Sequence, residues 1–316
     1  MNTLPHIHLC IMQPTGYVHS LGFLDQARYF RHQFRRMGAQ VSLAKNRLRH
    51  DAVNFVFGAH LGFDAALTQR YSCIFVNLEQ LGEGGAKVKP EYLQLLSKSA
   101  VVDYDADNIP AYTTYIEDVP IVPFLYAPYL KPAQAIPLAD RPIDVLFIGS
   151  MNERRRDMIK RIESTGRKVM LFDSPLYGPE RDQFIMQAKC VFNAHFYATS
   201  RFEQARVSHC LSLGTPVVSE RSPLARPHAA FEDSVFWVPE DSIEDFFAKQ
   251  FDTPAFYDQA EVALSRFQAV DPIEAYADVL AFAAGYGKEH QSRRPSTPWQ
   301  PTRINLGSGK DYKLGW

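Results

Sequence analysis

The sequence predicts an α/β protein built from two tandem doubly wound domains with a cleft between them. Three observations carry that prediction. Short runs that are apolar on both faces alternate with amphipathic helical stretches, the pattern of a parallel sheet covered by helices on both sides. The alternation stops at a segment rich in proline and alanine, KPAQAIPLADRP at 131–142, and then restarts. Polar residues gather just after the apolar runs, at the carboxyl ends of the strands, where open parallel sheets bind ligands.

The first domain is expected over residues 1–130. HIHLCIMQP (6–14) is a strand and TGYVHSLGF a loop. LDQARYFRHQFRRMGA (24–39) is an amphipathic helix with Leu24, Ala27, Phe30 and Phe34 at helical spacing. QVSLAKN, AVNFVFGAH and YSCIFVNLEQL read as strands, the last ending on Asn77, Glu79 and Gln80. KPEYLQLLSKSA is a helix, VVDYD a strand, DNIPAYTTY a helical turn and VPIVPFLYAPYL (119–130) a strand leaving the domain.

After the linker at 131–142, the second domain is expected over 143–270. IDVLFIGS is a strand, NERRRDMIKRIESTG a helix, KVMLFDS a strand and PERDQFIMQAKC (179–190) a helix. VFNAHFY (191–197) is a strand, RFEQARVSHCLSL a helix, and PVVSE and SVFWVPE are strands. Helices from SIEDFFAKQF onward close the fold, the last over 271–290.

Composition narrows the function. The chain has 316 residues, 46% hydrophobic and 22% charged, enough for two globular cores. A formal net charge of −1 gives no general attraction to nucleic acid or anionic membrane. Cys10, Cys73, Cys190 and Cys210 sit in apolar contexts without a CxxC pair, which favours buried thiols over disulfides or zinc. The N-terminus reads as a strand rather than an export signal, and no apolar run reaches the roughly 18 residues that span a bilayer. The expectation is a cytoplasmic protein with no transmembrane segment and no nucleic-acid partner.

Three neighbouring strand ends carry the candidate binding residues: Gly149 and Ser150, Asn193 and His195, and Ser219 and Glu220. In GSMNERRRD, Arg154, Arg155 and Arg156 lie at a helix N-terminus, where cations are unfavourable and a bound diphosphate would account for them. Asn193, His195 and Tyr197 share one face if the strand runs through all three. Glu203 and Arg206 are three apart and are able simply to pair. Their helix is otherwise apolar, so burial calls for a partner or a ligand, and Glu203 suits ribose hydroxyls. Tyr177 joins this donor-binding set. In the first domain, His19 in TGYVHS and Glu79 in VNLEQL are the candidate bases. The Asp103, Asp105 and Asp107 spacing reads as helix capping rather than a metal site, and no metal ligand set is expected.

DVLFIGSMNERRRDMI, FNAHFY and FEQARVSHCLSLGTPVVSE together resemble the second domain of the glycosyltransferase group 1-like proteins. The resemblance implies the GT-B fold, two Rossmann-like domains with a nucleotide-sugar donor in the second and an acceptor on the first. FVNLEQL, VVDYDADN and VPFLYAPYL resemble a first-domain pattern of bacterial polysaccharide-type transferases. Many members carry two glutamates where this chain has Arg201 and His209, so its pattern is that of a subgroup reading N-x-H-x-Y, E-x-x-R and S-E. The resemblance implies metal-independent sugar transfer from a nucleotide-diphosphate sugar to a glycan or lipid-linked acceptor, without a resident cofactor. Surface polysaccharide or glycoconjugate synthesis, in the cytoplasm or at the inner membrane, follows from it as the setting. The altered glutamates leave a rival open, a non-catalytic module that binds a sugar nucleotide or a partner protein. A two-domain solute-binding protein is disfavoured by the arginine cluster and the lack of an export signal. Residues 291–316 read as a linker and then, in RINLGSGKDYKLGW, as the start of an S-adenosylmethionine-dependent methyltransferase domain fused in a longer chain.

Overall fold

The structure is a computed structural model that describes residues 4–172, 174–197, 199 and 201–293. The first half contains β1 (Ile7–Ile11), α1 (Phe23–Arg36), β2 (Val41–Lys45), β3 (Val53–Phe57), β4 (Ser72–Asn77), α2 (Pro90–Ser97) and β5 (Ala100–Asp103). Its five strands are all parallel, in the order β2-β1-β3-β4-β5. β1, β3 and β4 are buried at every position, which explains their lack of polar alternation in the sequence. Ala27, Phe30 and Phe34 are fully buried on the inner face of α1, as their spacing predicts.

The second half contains β6 (Ile143–Phe147), α3 (Glu153–Ser164), β7 (Val169–Met170), α4 (Pro179–Gln187), β8 (Ala188–Asn193), α5 (Gln204–Ser212), β9 (Val217–Arg221), α6 (Ala229–Glu232), β10 (Phe236–Pro239), α7 (Ile243–Lys249), α8 (Pro254–Gln268) and α9 (Ile273–Arg293). These strands are also parallel, in the order β10-β9-β8-β6-β7. Counted from its own first strand, this is the order of the first sheet. Each sheet therefore has a switch point, between β1 and β3 and between β6 and β8, where connections leave in opposite directions and a crevice opens.

α9 ends the described chain by returning to the first half. Tyr276, Val279, Leu280 and Ala283 join the core that contains Phe30 and Phe55. The Phe30 ring lies 5.2 Å from those of Phe57 and Tyr276 and 5.9 Å from that of Phe55. Phe30→Ala is expected to cost about 3–5 kcal/mol of stability, measurable by denaturant titration, because it empties the junction of α1, β3 and α9.

Several expected boundaries move. Residues 119–130 form no strand beyond a single bridge between Asp103 and Ile121. Pro120, Pro123 and Pro128 lack the N–H that a ladder needs, and side chains take three of the donors that remain. Phe124 N donates to Gln204 Oε1, Leu125 N to Tyr29 Oη and Ala127 N to Ser212 Oγ, so this crossing is clamped from both halves. α4 stops at Gln187, and Lys189 and Cys190 belong to β8, where Lys189 pairs with Asp144 and Asp252. β8 stops at Asn193, so His195 and Tyr197 lie beyond the strand. The strand expected over 168–174 shrinks to β7, and α9 extends past 290. The methyltransferase-like segment RINLGSGKDYKLGW (303–316) lies outside the described residues, as does the expected linker before it apart from 291–293 at the end of α9.

All four cysteines are free and buried. Among the described residues no helix is long and apolar enough to cross a membrane.

Candidate functional site

The parallel pairing β9-β8-β6 brings the three polar strand ends side by side, as the sequence predicts. β6 runs out into Gly149 and Ser150, and α3 starts behind its N-cap, Asn152, whose Oδ1 accepts from Arg155 N at 2.9 Å. β8 ends on Asn193, which pairs in register with Ser219 of β9. α5 begins just after Glu203, its N-cap residue.

Glu203 is the centre of the cluster. Asn193 Nδ2 donates to its Oε2 at 3.1 Å and to Ser219 Oγ at 3.0 Å. His195 Nδ1 lies 3.3 Å from Oε2, and Arg206 Nη2 and Arg155 Nη2 lie 3.3 and 3.4 Å from Oε1. Burial pushes the Glu203 carboxyl up, but His195, Arg206 and Arg155 together outweigh it and hold it at about 2. The group is therefore an anion near neutral pH, flanked by two guanidinium cations.

The arginines divide by task. Arg155, 3% exposed, donates to Ala194 O and Ser150 O and lies over the rings of Phe147 and Phe196. Burial, and then the neighbouring Arg206, lowers it to about 9. It ties the β6–α3 loop to the end of β8. Arg154 is held by Glu220 and by Glu240, and Glu220 also accepts from His195 N at 3.1 Å. Arg156 is exposed. The three arginines thus do not form one phosphate-binding fork: one braces the loop, one is neutralised and one points to solvent. Arg206 is the cation next to the open loop, donating to Ile148 O at 2.5 Å.

Gly149 shapes this approach. Its φ is +147°, and an added Cβ would sit 2.6 Å from Arg206 Nη1 and 3.1 Å from Arg155 Nη1. Only a residue without a side chain lets both guanidinium groups reach the loop.

Several buried polar atoms here have no hydrogen-bond partner: Asn193 Oδ1, His195 Nε2 and Arg206 Nε, while His195 Nδ1 faces only Glu203. Such orphans are uncommon in a folded interior and gather where a ligand completes the bonding.

Two cavities adjoin this region, one at the β6–α3 loop and one at the cluster itself. One, of about 530 Å3, is lined by Gly149, Ser150, Phe172, Tyr177 and, from the first half, His19. His19 Nδ1 and Tyr177 Oη are 2.9 Å apart across the gap between halves. The other, of about 290 Å3, places Glu203 and Arg206 opposite Phe23, Gln26, Leu78 and Gln80. Gln80 spans the cleft, donating to Arg201 O and accepting from Thr199 Oγ1.

Glu79 follows the carboxyl end of β4, with His60 Nε2 at 3.4 Å from its Oε1. His60 follows β3 and packs edge-on against Phe23 and Tyr92. Sequence reasoning passed over it: in GAHLGF nothing local marks the histidine, and Glu79 is 19 positions away (79 − 60). Asp105 caps a helical turn as expected, accepting from Asp107 N at 2.9 Å, whereas Asp103 ends β5 as a buried acceptor for Asn77, Asn108 and Tyr112 rather than as a cap. Among the described residues no group of three or more His, Cys, Asp or Glu is arranged to hold a metal ion.

No family model matches the chain. The uncharacterized protein L140 of Acanthamoeba polyphaga mimivirus is 29% identical over 168 residues, 49% of this chain and 51% of that protein. A second protein of the same virus, the uncharacterized protein L138, is 36% identical over 80 residues, 25% of this chain and 9% of that protein. The chain thus spans about half the length of the first of these relatives and far less of the second. Among solved structures, Anabaena Alr3699/HepE in complex with UDP and glucose is similar with a TM-score of 0.52 at 11% identity, over 88% of this chain and 99% of that one. At that identity the likeness is one of fold. The expected architecture, two Rossmann-like doubly wound halves in the GT-B arrangement, is the one found.

Proposed function

We propose that the chain is a glycosyltransferase that moves a sugar from a nucleotide-diphosphate sugar to an acceptor held by the first half. The observation that carries this reading is the incompletely bonded Asn193–His195–Glu203–Arg206 cluster at the switch point of the second sheet, facing a cleft. The fold is shared with Alr3699/HepE, a protein crystallised with UDP and glucose, which supports a nucleotide sugar as the ligand.

In this reading Arg206 and the N–H groups at the start of α3 face the diphosphate, and Glu203 accepts from the ribose hydroxyls. Two cations, Arg155 and Arg206, face one anion, Glu203, so the cluster has a net charge of +1 before ligand enters. That surplus stabilises the departing diphosphate, the task for which no metal is invoked. Asn193 and His195 offer their free polar atoms to the sugar or ribose, Ser219 orients Asn193, and Glu220 steadies the His195 backbone. Arg155 positions the loop. Arg154 meets phosphate only by leaving Glu220 and Glu240.

The acceptor hydroxyl attacks the anomeric carbon while the bond to the leaving phosphate oxygen breaks. For an inverting transfer the hydroxyl proton goes to Glu79, oriented by His60, with His19 as the competing base. A retaining transfer needs neither. Met151 and Leu171 are exposed apolar groups lining the larger cavity, and Tyr17 and Val18 are exposed just before His19, which lines it from the first half; this supports a lipid-linked glycan as acceptor and a place at the cytoplasmic face of a membrane. Surface polysaccharide or glycoconjugate synthesis is the setting proposed.

A second reading has one observation in its favour. Arg154 and Arg155 are already engaged, as in a module that binds a sugar nucleotide without turning it over. Release of free nucleotide from a panel of nucleotide sugars, with glycan acceptors and with EDTA, separates the two. Release from one donor that persists in EDTA and falls about a hundredfold in Arg206→Gln is the expected result. Binding without release establishes the module instead, and neither binding nor release overturns both.

A further inference from the structure

A second cationic cavity lies on the seam between the halves, away from the cluster above. It measures about 630 Å3 and is walled by α1 on one side and by Tyr129, Leu130, Asp182 and His209 on the other. Arg28, Arg31 and Arg35 stand at helical spacing along the α1 wall, a stripe of like charge that repels itself, with the imidazole of His32 beside them, kept neutral by its burial.

Neighbouring acids do not neutralise it. Asp25 is bound by Arg181 at 2.8 Å, and Asp182 by Arg181 and by His209. Arg36 is spent on Asp271, and Arg35 donates to Val41 O, close to the helix end where cations are favourable. Arg28 and Arg31 sit too early in α1 for that help, and among the described residues no carboxylate pairs with either. Both line the cavity together with Tyr129, which places them on the cavity side of the helix. The His32 ring lies 4.9 Å from that of Tyr129, and its buried Nε2 has no hydrogen-bond partner.

We infer that this cavity is a second anion site, distinct from the donor site, which takes a phosphate ester or polyphosphate group between Arg28, Arg31 and His32 on α1 and Tyr129 and His209 opposite. Guanidinium forks and a neutral imidazole N–H match phosphate oxygens, and the cavity has room for more than one phosphate. An anion here touches α1 of the first half and α5 of the second, so its binding is coupled to how the halves meet. The phosphate is either free in solution or carried on a lipid headgroup. The inference does not depend on sugar transfer.

The test uses the full chain at low ionic strength, where exposed charges are least screened. Inorganic tripolyphosphate is titrated calorimetrically into the wild type, Arg28→Ala/Arg31→Ala and Arg206→Gln. In parallel, each protein is floated with vesicles of phosphatidylglycerol in phosphatidylcholine. The expected result is tripolyphosphate binding weakened about tenfold or more in Arg28→Ala/Arg31→Ala and retained in Arg206→Gln. Vesicle binding lost only in the α1 double variant supports the same site with a lipid-borne phosphate. Wild type that binds neither probe, or binding that survives in the double variant, overturns the inference. Loss of binding in Arg206→Gln alone also overturns it and places the anion at the donor cluster. Wild-type levels of nucleotide binding in the double variant support a site separate from the donor cluster, and loss of nucleotide binding there overturns that separation.

Discussion

Each half buries an asparagine at the end of a strand, and the two are treated in opposite ways. In the first half Asn77 is saturated: its Oδ1 accepts from Glu79 N and Tyr92 Oη, and its Nδ2 donates to Asp103 at 2.8 Å and to Glu79 O. Asp103 in turn accepts from Asn77, Asn108, Tyr112 and Asp105 N. In the second half Asn193 reaches Glu203 and Ser219, yet its Oδ1, His195 Nε2 and Arg206 Nε stay unbonded. The two sheets share a strand order, so topology alone does not cause the difference. A closed polar network stiffens a fold; an open one next to a cleft keeps bonding capacity for a ligand. The electrostatics diverge as well. Burial raises Asp103 to about 6, whereas Glu203 is held at about 2 against its burial.

The sharpest way to break this comparison is to remove each centre. Asp103→Ala leaves buried donors unpaired and is expected to cost about 3 kcal/mol or more of stability by denaturant unfolding, with no change in nucleotide affinity per folded molecule. Arg206→Gln should do the reverse: about a tenfold to hundredfold loss of nucleotide affinity, with stability changed by about 1 kcal/mol or less. Equal stability losses in the two variants would erase the distinction between closed and open networks.

Gly149→Ala should come next, with roughly a tenfold loss of affinity in the same titration. The added Cβ displaces the Arg206 and Arg155 guanidinium ends and strains a backbone at φ +147°, so about 1 kcal/mol or more of stability is lost along with the affinity. His60→Ala should lower kcat about tenfold with little change in donor affinity if Glu79 is the base, and should leave both unchanged if the transfer retains configuration.

The smallest effect is in pH. The Asp103 contribution is fully present below its unfolded value near 3.8 and is lost as pH rises through about 6. The Glu203 contribution is present above its unfolded value near 4.5 and is lost as pH falls toward about 2. The stability gap between wild type and Asp103→Ala should therefore narrow from pH 4 to pH 6 in denaturant titrations. A gap that widens over that interval would contradict the assigned shift.

The sequence made the sheet strands legible because β1, β3, β4 and β8 are apolar on both faces, and it made α1 legible through Ala27, Phe30 and Phe34. It also brought Gly149, Asn193 and Ser219 to one edge, since order along the chain and a parallel sheet suffice for that. It misread 119–130 because the donors of that crossing are satisfied by Tyr29, Gln204 and Ser212, all distant in sequence. The arginine cluster misled for the same reason. Nothing near GSMNERRRD reveals that Glu220 and Glu240 neutralise Arg154, or that Ala194 O occupies Arg155. His60 stayed hidden because its partner belongs to the next strand. Local pattern reports which residues sit at strand ends. Which of them remain unpaired is decided by contacts between segments.

The most direct test is calorimetric titration of UDP, GDP, CDP and TDP into the wild type and into Arg206→Gln and Asp103→Asn, each checked for folding. The account predicts that one nucleoside diphosphate binds the wild type, binds folded Asp103→Asn equally well and is lost from Arg206→Gln. Binding that survives in Arg206→Gln, or that fails in the wild type for all four nucleotides, would contradict the assignment of the open cluster as the donor site.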